Sequence, residues 1–268
     1  MFKKSPEKLL TPCPPPEIVT SHTVTKNKTM RTKVLAAAAI LAAGFATVQA
    51  QNVYSLNVVG YVNLTLKPGY NLITPQLKDS SGSTSINVLL TNAPALPDNS
   101  TFFGWNSALQ TFTDSSVWVG TPPDGPAWYL ADFSGLSTDT APRGKSYFIF
   151  NSGASDATMT LVGEVPQGSD AATVPANYGF LGDYVPTSQE ISTNGFPVAD
   201  NATVFTWNAT AQAYTDPLVG VAAPPDGPAW YLADFSAQVP FAPAVGQGFI
   251  HFNPAAAAPW TRTFTVQP

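Results

Sequence analysis

Apolar and polar residues alternate along the stretch VYSLNVVGYVNLTL, residues 53–66. In an extended chain successive side chains point to opposite faces, so this alternation predicts a strand with one buried face and one solvated face. The apolar side carries Tyr54, Leu56, Val58, Val62, Leu64 and Leu66 together with Gly60. The other side carries Ser55, Asn57, Asn63 and Thr65. Because glycine has no side chain to pack, Gly60 predicts a bulge or a sharp bend within this long strand.

Short runs rich in Val, Tyr, Phe, Trp and Thr follow, separated by Gly, Pro, Asn and Asp, which is typical of strands and turns. We predict strands at residues 70–74, 101–105, 110–113, 127–130 and 146–151, each with a counterpart later in the chain. Helical periodicity is almost absent, and only SINVLLTN at residues 85–92 is expected to form one or two helical turns. The sequence therefore predicts an all-β protein built from antiparallel β-sandwich or barrel-like modules.

An internal repeat divides the chain. The phrase PPDGPAWYLADFS occurs at residues 122–134 and again, without a change, at residues 224–236. The same shift of 102 positions aligns Trp105 with Trp207 and Gly144 with Gly246. Units of about a hundred residues have the usual size of a domain, so we predict two tandem modules, residues 51–162 and 163–268.

The pattern of the first strand returns as TMTLVGEV at residues 158–165, where the repeat units meet. We therefore expect this segment to close the first module and to open the second. One strand would then belong to both modules, and no flexible linker would separate them.

The N-terminal part predicts export. Residues 30–50 combine a basic start, an apolar run that is Ala-rich and a small-residue cleavage pattern, as in a secretory signal peptide. The run is shorter than the roughly 18 apolar residues of a membrane span, so we expect cleavage before Gln51 and no membrane anchor afterwards. The Pro-rich residues 1–29 have no hydrophobic period and predict no fold. They are either a start assigned upstream of Met30 or a long basic region of the signal.

Removal of the leader changes the charge. Seven of the 12 Lys and Arg precede Gln51 but only two of the 17 acids do, so five bases and 15 acids follow, a net charge of −10. Such a chain repels phosphate backbones, which excludes nucleic acid as the expected partner. The one cysteine, Cys13, precedes the cleavage point, so the exported chain is expected to form no disulfide and to carry no lipid anchor.

The repeated phrase holds the candidate binding residues. Asp and Gly at residues 124–125 predict a tight turn, after which a strand begins that places large apolar groups on both faces. In one interpretation the tryptophans are core residues, the commoner case for aromatic side chains. In the other, Trp and Tyr rings stack on a sugar while Asp accepts hydrogen bonds from its hydroxyl groups. The candidates are Asp124, Trp128, Tyr129 and Asp132, with Asp226, Trp230, Tyr231 and Asp234 in the second copy.

Signatures of catalysis are weak. The exported chain has one histidine, His251, which aligns with Ile149 of the first copy, and neither G-x-S-x-G nor H-E-x-x-H occurs. A pair of carboxylates could serve a glycosidase. The recurring aspartates lack the spacing of a calcium loop and are better explained as turn formers. We therefore predict no catalytic residue, no metal and no cofactor.

Four stretches resemble a family of exported bacterial proteins of unknown function. They are NVVGYVNLTLKPGYNLI, GWNSALQTFTD, PRGKSYFIFN and LVGEVPQG, and the family repeats G-Y-V-N, P-G-x-x-L-I, P-G-x-G-F-F-I-x-N and V-G-E-V-x-Q-G elements. Residues 143–146 depart from the P-G-x-G form, whereas residues 245–248 keep its glycines. The resemblance implies export and a β fold, and it brings no catalytic residues.

Together these features predict a secreted, non-enzymatic β-repeat protein of the bacterial cell envelope or exterior. It would reside in the periplasm, on the cell surface or outside the cell, with a structural, adhesive or binding role. The alternative is a carbohydrate-binding accessory module or a carbohydrate-active enzyme. The expected partners are extracellular polysaccharide or envelope components.

Overall fold

The computed structural model describes residues 58–121, 126–223 and 227–266. All of them belong to one compact unit, Ser55–Pro268. The predicted leader, the start of the first predicted strand at residues 53–57, and the candidate residues Asp124 and Asp226 lie outside the described residues.

The described residues up to 164 form strands joined by short turns and one short helix. The elements are β1 (Val59–Leu66), β2 (Gly69–Ile73), α1 (Ile86–Leu89), β3 (Thr101–Phe103), β4 (Trp105–Asn106), β5 (Thr111–Phe112), β6 (Ser116–Val119), β7 (Ala127–Leu130), β8 (Tyr147–Asn151) and β9 (Ala157–Glu164). Helix α1 begins where the Ser85 hydroxyl accepts a hydrogen bond from the Asn87 backbone N–H, the usual role of an N-cap serine.

The described residues from 168 onward repeat this order. The elements are β10 (Gly168–Val174), β11 (Asn177–Leu181), a 3₁₀ helix (Ser192–Asn194), β12 (Thr203–Phe205), β13 (Trp207–Asn208), β14 (Ala213–Tyr214), β15 (Leu218–Val221), β16 (Ala229–Leu232), β17 (Phe249–Asn253) and β18 (Ala258–Phe264). Below, the first half means residues 58–164 and the second half means residues 168–266.

Each half consists of a five-stranded antiparallel sheet, a two-stranded ribbon and a short two-stranded hairpin. The sheet orders are β2-β8-β3-β6-β7 and β11-β17-β12-β15-β16, the ribbons are β1-β9 and β10-β18, and the hairpins are β4-β5 and β13-β14. The structure therefore confirms the predicted all-β antiparallel fold. No sheet formed by the described residues closes on itself, which favours the sandwich over the barrel-like alternative.

The first core lies between the β1-β9 ribbon and the first sheet. Val62, Leu64 and Leu66 are buried and alternate with exposed residues, as the sequence pattern predicted, whereas Val58 is exposed. Burying one such aliphatic side chain contributes about 1.5–3 kcal/mol. The aromatic members of the same core are Phe102, Trp118, Trp128 and Tyr147.

The second core repeats this arrangement with mostly different residues. Val174 of β10 and Trp260 of β18 pack with Val204, Trp230 and Phe249 of the second sheet. The repeat thus conserves the position of each buried face more closely than the residue that fills it.

The structure contradicts the prediction of a shared strand. β9 pairs with β1 along its whole length, from Val59 opposite Glu164 to Leu66 opposite Ala157, while the second half opens with β10. The two similar segments are β1 and β9, which pair with each other, and Gly60 lies opposite Gly163 in this pairing. The predicted division between residues 162 and 163 falls inside β9.

The register of β1 and β9 is continuous through Gly60, so the predicted bulge is absent. Glycine at residues 60 and 163 instead allows other chain segments to approach the ribbon closely. A Cβ atom on Gly163 would strike the carbonyl of Lys78, and one on Gly60 would meet the Val165 side chain at 2.8 Å. Lys78 exchanges backbone hydrogen bonds with Glu164, at 2.9 and 2.8 Å, which places it against the ribbon.

The connection between the halves is short and anchored. It consists of residues 165–167, between β9 and β10. The Val165 backbone N–H donates to the Val58 carbonyl at 2.6 Å, and the Gln167 side chain accepts from the Val266 backbone N–H at 2.8 Å. The expected absence of a flexible linker agrees with these contacts.

Candidate functional site

The two five-stranded sheets meet through their aromatic outer faces. Leu72, Phe148, Phe180 and Ile250 form a third buried cluster, flanked by Phe103, Trp105, Phe205 and Trp207. Trp105 stacks on Phe180 across this junction, with ring centroids 5.1 Å apart and an interplanar angle of 10°. Offset aromatic pairs of this kind stabilise a contact by about 0.5–1.5 kcal/mol beyond the area they bury.

A glutamine and a tryptophan of the second half bind the edge of the first sheet at Tyr70. The Gln212 amide oxygen accepts from the Tyr70 backbone N–H at 2.7 Å, and the amide nitrogen donates to the Tyr70 carbonyl at 3.1 Å. Trp207 Nε1 donates to the same carbonyl at 2.7 Å. Because β2 is an edge strand, these side chains satisfy backbone groups that no strand covers.

The reciprocal contact is made by the first half at Tyr178, on the edge strand β11. Gln110 accepts from the Tyr178 backbone N–H at 3.0 Å and donates to its carbonyl at 2.9 Å. Trp105 Nε1 donates to that carbonyl at 2.9 Å. Each half therefore holds the other in the same way, and we call these two sets of contacts the Trp-Gln clamps.

The spacing W-N-x-x-x-Q explains how the clamps form. Asn208 Oδ1 accepts from the backbone N–H groups of Thr210 and Ala211, each at 3.0 Å, which closes a tight turn. Gln212 follows this turn with φ of 51°, and Gln110 occupies the equivalent position with φ of 53°. The repeat aligns Trp105 with Trp207, and the glutamines recur at the same interval, although they were not predicted as functional residues.

Two glycines let the halves approach closely. Gly144 and Gly246 have φ of 80° and 78°, and their carbonyls accept from the backbone N–H groups of Gly182 and Thr74, at 3.3 and 2.9 Å. A Cβ atom on Gly246 would collide with the Leu64 side chain. This explains why glycine recurs at these positions in segments that otherwise differ, PRGKS and AVGQG.

A groove of about 510 Å³ opens beside the clamp on Tyr70. Both halves line it: β1 and β2 contribute one wall, and the turn after Trp207 and residues 245–247 contribute the other. Apart from Lys67, its polar side chains are neutral amides and hydroxyls, among them Asn63, Thr65, Thr210 and Gln247. Lys67, a charged lining residue, pairs with Asp156 at 2.7 Å. The groove thus presents hydrogen-bonding groups and part of an indole with little net charge.

The first half has a related groove of about 400 Å³ beside the other tryptophan. Residues 104–108 and Thr113 line it, as their counterparts line the larger groove. Asp139 and Lys145 add opposite charges to its wall. The two grooves are therefore similar in position and different in electrostatics.

The tryptophans of the repeated phrase are core residues. Trp128 is 0% exposed and Trp230 is 1% exposed. Trp128 Nε1 donates to the Leu90 carbonyl at 2.9 Å, and its ring lies 5.1 Å from that of Trp118. The interpretation as a sugar-stacking platform is therefore wrong for both indoles, because neither offers a face to a ligand.

The remaining predicted site residues in the described ranges are not brought together into a pocket. Tyr129 and Tyr231 are half-buried, while Asp132 and Asp234 are exposed on the turns that follow β7 and β16. Hydrogen bonds from the Ser134 hydroxyl and backbone N–H to Asp132, at 2.7 and 3.0 Å, hold the pKa of this carboxyl below its usual value.

Asp234 has the same role in the second turn. Ser236 lowers the pKa of Asp234 through its hydroxyl and through its backbone N–H, which donates at 2.9 Å. Two further recurring acids also bind loop backbone: Asp98 accepts from Gly120 N–H at 2.6 Å and Asp200 from Ala222 N–H at 2.7 Å. These aspartates therefore act as turn and loop formers.

Two further titratable groups with shifted pKa values, His251 and Asp183, lie in the interior. His251 is 0% exposed, and burial lowers its pKa to about 4. Burial also raises the pKa of Asp183, which the guanidinium of Arg262, 2.9 Å away, opposes. The described ranges bring together no three His, Cys, Asp or Glu side chains that could hold a metal ion.

Comparisons with known proteins find no match: no family model, no curated protein and no solved structure matches this chain. In the part of the chain that the structure describes, no helix has both the length and the apolar character to cross a membrane.

Proposed function

We propose that the protein is an exported, non-enzymatic β-repeat protein of the bacterial envelope or exterior, and that its role is to bind a neutral carbohydrate in the junction groove. The leader pattern at residues 30–50 supports export. The clamps support a stiff scaffold, because each half satisfies backbone groups of the other. Such a scaffold keeps a groove between the halves in one shape, which lowers the entropic cost of binding.

The composition of the larger groove is the observation that carries the proposal. Its 510 Å³ volume is within the range of small-ligand sites, and its walls combine the Trp207 indole with neutral amides and hydroxyls. Sugars present the matching surface: an apolar ring face and a rim of hydroxyl groups that donate and accept hydrogen bonds. Anionic ligands fit less well, because residues 51–268 carry a net charge of −10.

The chemistry of the groove favours binding over glycoside hydrolysis. A glycosidase flanks the scissile bond with two carboxyl groups, whereas Asn63, Thr65 and Gln247 occupy the walls here. The shifted carboxyl pKa values described above have local causes in serine-capped turns and in one buried ion pair. They are accounted for by folding, without a demand from catalysis.

A blocking substitution tests the groove. Thr65 is exposed on β1 and lines the groove, whereas Thr173 is exposed at the equivalent position of β10 and does not line it. Residues 51–268 are applied to an array of neutral and anionic glycans as wild type, Thr65→Arg and Thr173→Arg. We expect binding of neutral glycans that Thr65→Arg lowers about tenfold or more, a loss of about 1.4 kcal/mol, and that Thr173→Arg preserves.

Three results would count against the proposal. Binding confined to anionic glycans would contradict the neutral groove, and equal binding by both arginine variants would place the ligand elsewhere. Release of reducing ends from any bound polysaccharide would favour the carbohydrate-active enzyme. Export is tested separately by fractionation of cells that express the full chain, where retention of all protein in the cytoplasm would contradict it.

A further inference from the structure

Phe133 and Phe235 occupy a backbone conformation that phenylalanine rarely adopts. Their φ values are 55° and 59°, in the left-handed region that favours glycine and asparagine. Both lie in the retained phrase, one in each copy. A recent copying event would repeat any residue, but a strained conformation persists only where the surrounding structure or a function outside the chain supports it.

The turn geometry explains the strain but not the choice of residue. The Phe133 backbone N–H donates to the Leu130 carbonyl at 2.9 Å, and the Leu130 N–H donates to the Gly135 carbonyl at 3.0 Å. This is a short hairpin connection whose last turn residue is left-handed, a position where glycine is usual. The second copy repeats it with Phe235 N–H donating to the Leu232 carbonyl at 2.8 Å.

Packing explains the phenylalanines only in part. Phe235 makes a tilted ring contact with Tyr231, with centroids 6.4 Å apart, yet Phe133 is 55% exposed and Phe235 is 54% exposed. A phenylalanine ring gains most when it is buried. The buried tryptophans and the serine-bound aspartates of the same phrase have structural roles, as shown above. The phenylalanines are therefore the described part of the phrase that folding accounts for least.

Each phenylalanine has an exposed polar residue on either side of it in the turn. Asp132 and Ser134 flank Phe133, Asp234 and Ser236 flank Phe235, and all four are exposed. An aromatic face beside a carboxylate and a hydroxyl matches the apolar face and hydroxyl rim of a sugar. A charged aspartate directly beside the ring opposes insertion into lipid, because an ionised carboxylate is costly to move out of water.

We propose that Phe133 and Phe235 are twin stacking positions for a neutral polysaccharide chain. This inference rests on the proposed carbohydrate binding and adds two contacts outside the groove. Two weak positions on one rigid scaffold bind a polymer more tightly than either alone, because the second contact forms at high effective concentration. Binding at both positions would then explain why the two copies of the phrase share the same exposed phenylalanine, which packing within each half does not.

Asparagine is the informative substitution, because it tolerates a left-handed backbone better than phenylalanine does. Phe133→Asn and Phe235→Asn are made singly and together in residues 51–268. Leu109→Asn is the control, since Leu109 is 71% exposed on a different turn. Each variant is tested for sedimentation with insoluble cellulose, chitin and xylan, and its urea unfolding midpoint is measured in parallel.

We expect the wild type to sediment with at least one of these neutral polymers. The double variant should bind about 100-fold more weakly, which is the lower end of the gain in affinity that two linked binding positions give. The single variants should bind with intermediate affinity, and the control should bind like the wild type. The unfolding midpoint of the asparagine variants should be equal to or higher than that of the wild type. Loss of binding would then have no explanation in loss of folding.

The outcomes separate this inference from the proposed function. If the double variant sediments like the wild type while Thr65→Arg does not, the groove binds the carbohydrate and the stacking positions are refuted. If the wild type sediments with none of the polymers, both the inference and the proposed carbohydrate role are overturned. Binding to vesicles of neutral phosphatidylcholine that the double variant loses, without binding to the polymers, would assign the phenylalanines to lipid and refute the inference.

Discussion

Acid should destabilise the protein through one buried histidine. His251 lies in the second core, where its ring meets the edges of Phe196 and Trp230 with centroids 5.0 and 6.1 Å away. Neither ring nitrogen has a hydrogen-bond partner among the described residues. A charged imidazolium in this site would lose its hydration without compensation, so the folded protein keeps the ring neutral.

The size of the effect follows from the pKa of His251, which burial lowers from 6.5 to about 4. The unfolded chain takes up a proton as the pH falls through 6.5, whereas the folded chain does so only near pH 4. Stability from this group is therefore complete above pH 6.5 and is lost as the pH falls from 6.5 to 4. At about 1.4 kcal/mol for each unit of difference, the full loss is about 3 kcal/mol.

The substitution His251→Ile removes this term, and it places in the second sheet the residue that the first sheet has at Ile149. Residues 51–268 of wild type and variant are unfolded in urea at pH 7.5 and at pH 4.5. Carboxylates titrate in both proteins, so the difference between their pH dependences isolates the histidine. We expect the stability of the variant to fall by about 2–3 kcal/mol less than that of the wild type between these two pH values.

Two observations would refute this reasoning. Parallel pH dependences for wild type and variant would mean that the histidine is solvated or paired in the folded protein. Since His251 is the one histidine of residues 51–268, its ring proton resonances can be followed without ambiguity. A titration midpoint near 6.5 in the folded protein would contradict the buried neutral ring directly.

Three further substitutions test the junction and the second core. Gly246→Ala should lower the free energy of unfolding by about 1–3 kcal/mol in urea titrations, because its Cβ atom collides with a β1 leucine and its φ of 78° is strained. Gln212→Ala should lower the free energy of unfolding by about 1–2 kcal/mol and speed hydrogen exchange of the Tyr70 amide, because this amide loses its acceptor. An unchanged exchange rate would contradict this prediction. Asp183→Asn should cost about 3–5 kcal/mol in thermal and urea unfolding, because it leaves the buried charge of Arg262 unpaired, and a neutral effect would show that the pair is solvated.

The fold class and several elements could be predicted from local patterns. The predicted strand at residues 127–130 matches β7 without an offset, and the alternation around Val62, Leu64 and Leu66 gave the buried face of β1. Strand β10, with sequence GSDAATV, was not predicted, because its small and polar residues carry little alternation. It forms because it pairs with β18, where Ala172 lies opposite the buried Trp260, 88 positions later in the chain.

The candidate site was predicted less well, for a physical reason. Perfect repetition drew attention to Trp128 and Trp230, yet repetition reports any strong constraint, and here the constraint on the indoles is burial. The groove could not be predicted, because its walls come from segments of opposite halves that are distant in sequence, such as those around Thr65 and Thr210. The neutral residues that line it have no spacing that distinguishes them from ordinary surface residues.

The sequence by itself determined the strand content and the doubling of the chain, because alternation and repeats are local properties of the chain. Export remains a prediction from the pattern at residues 30–50. Tertiary structure alone decided that β9 belongs to the first ribbon and that the indoles of Trp128 and Trp230 are buried. It also decided that the halves bind each other through Gln110 and Gln212. These outcomes depend on which distant surfaces exclude water together and on which backbone groups remain at a sheet edge. Both are settled only when the whole chain has packed.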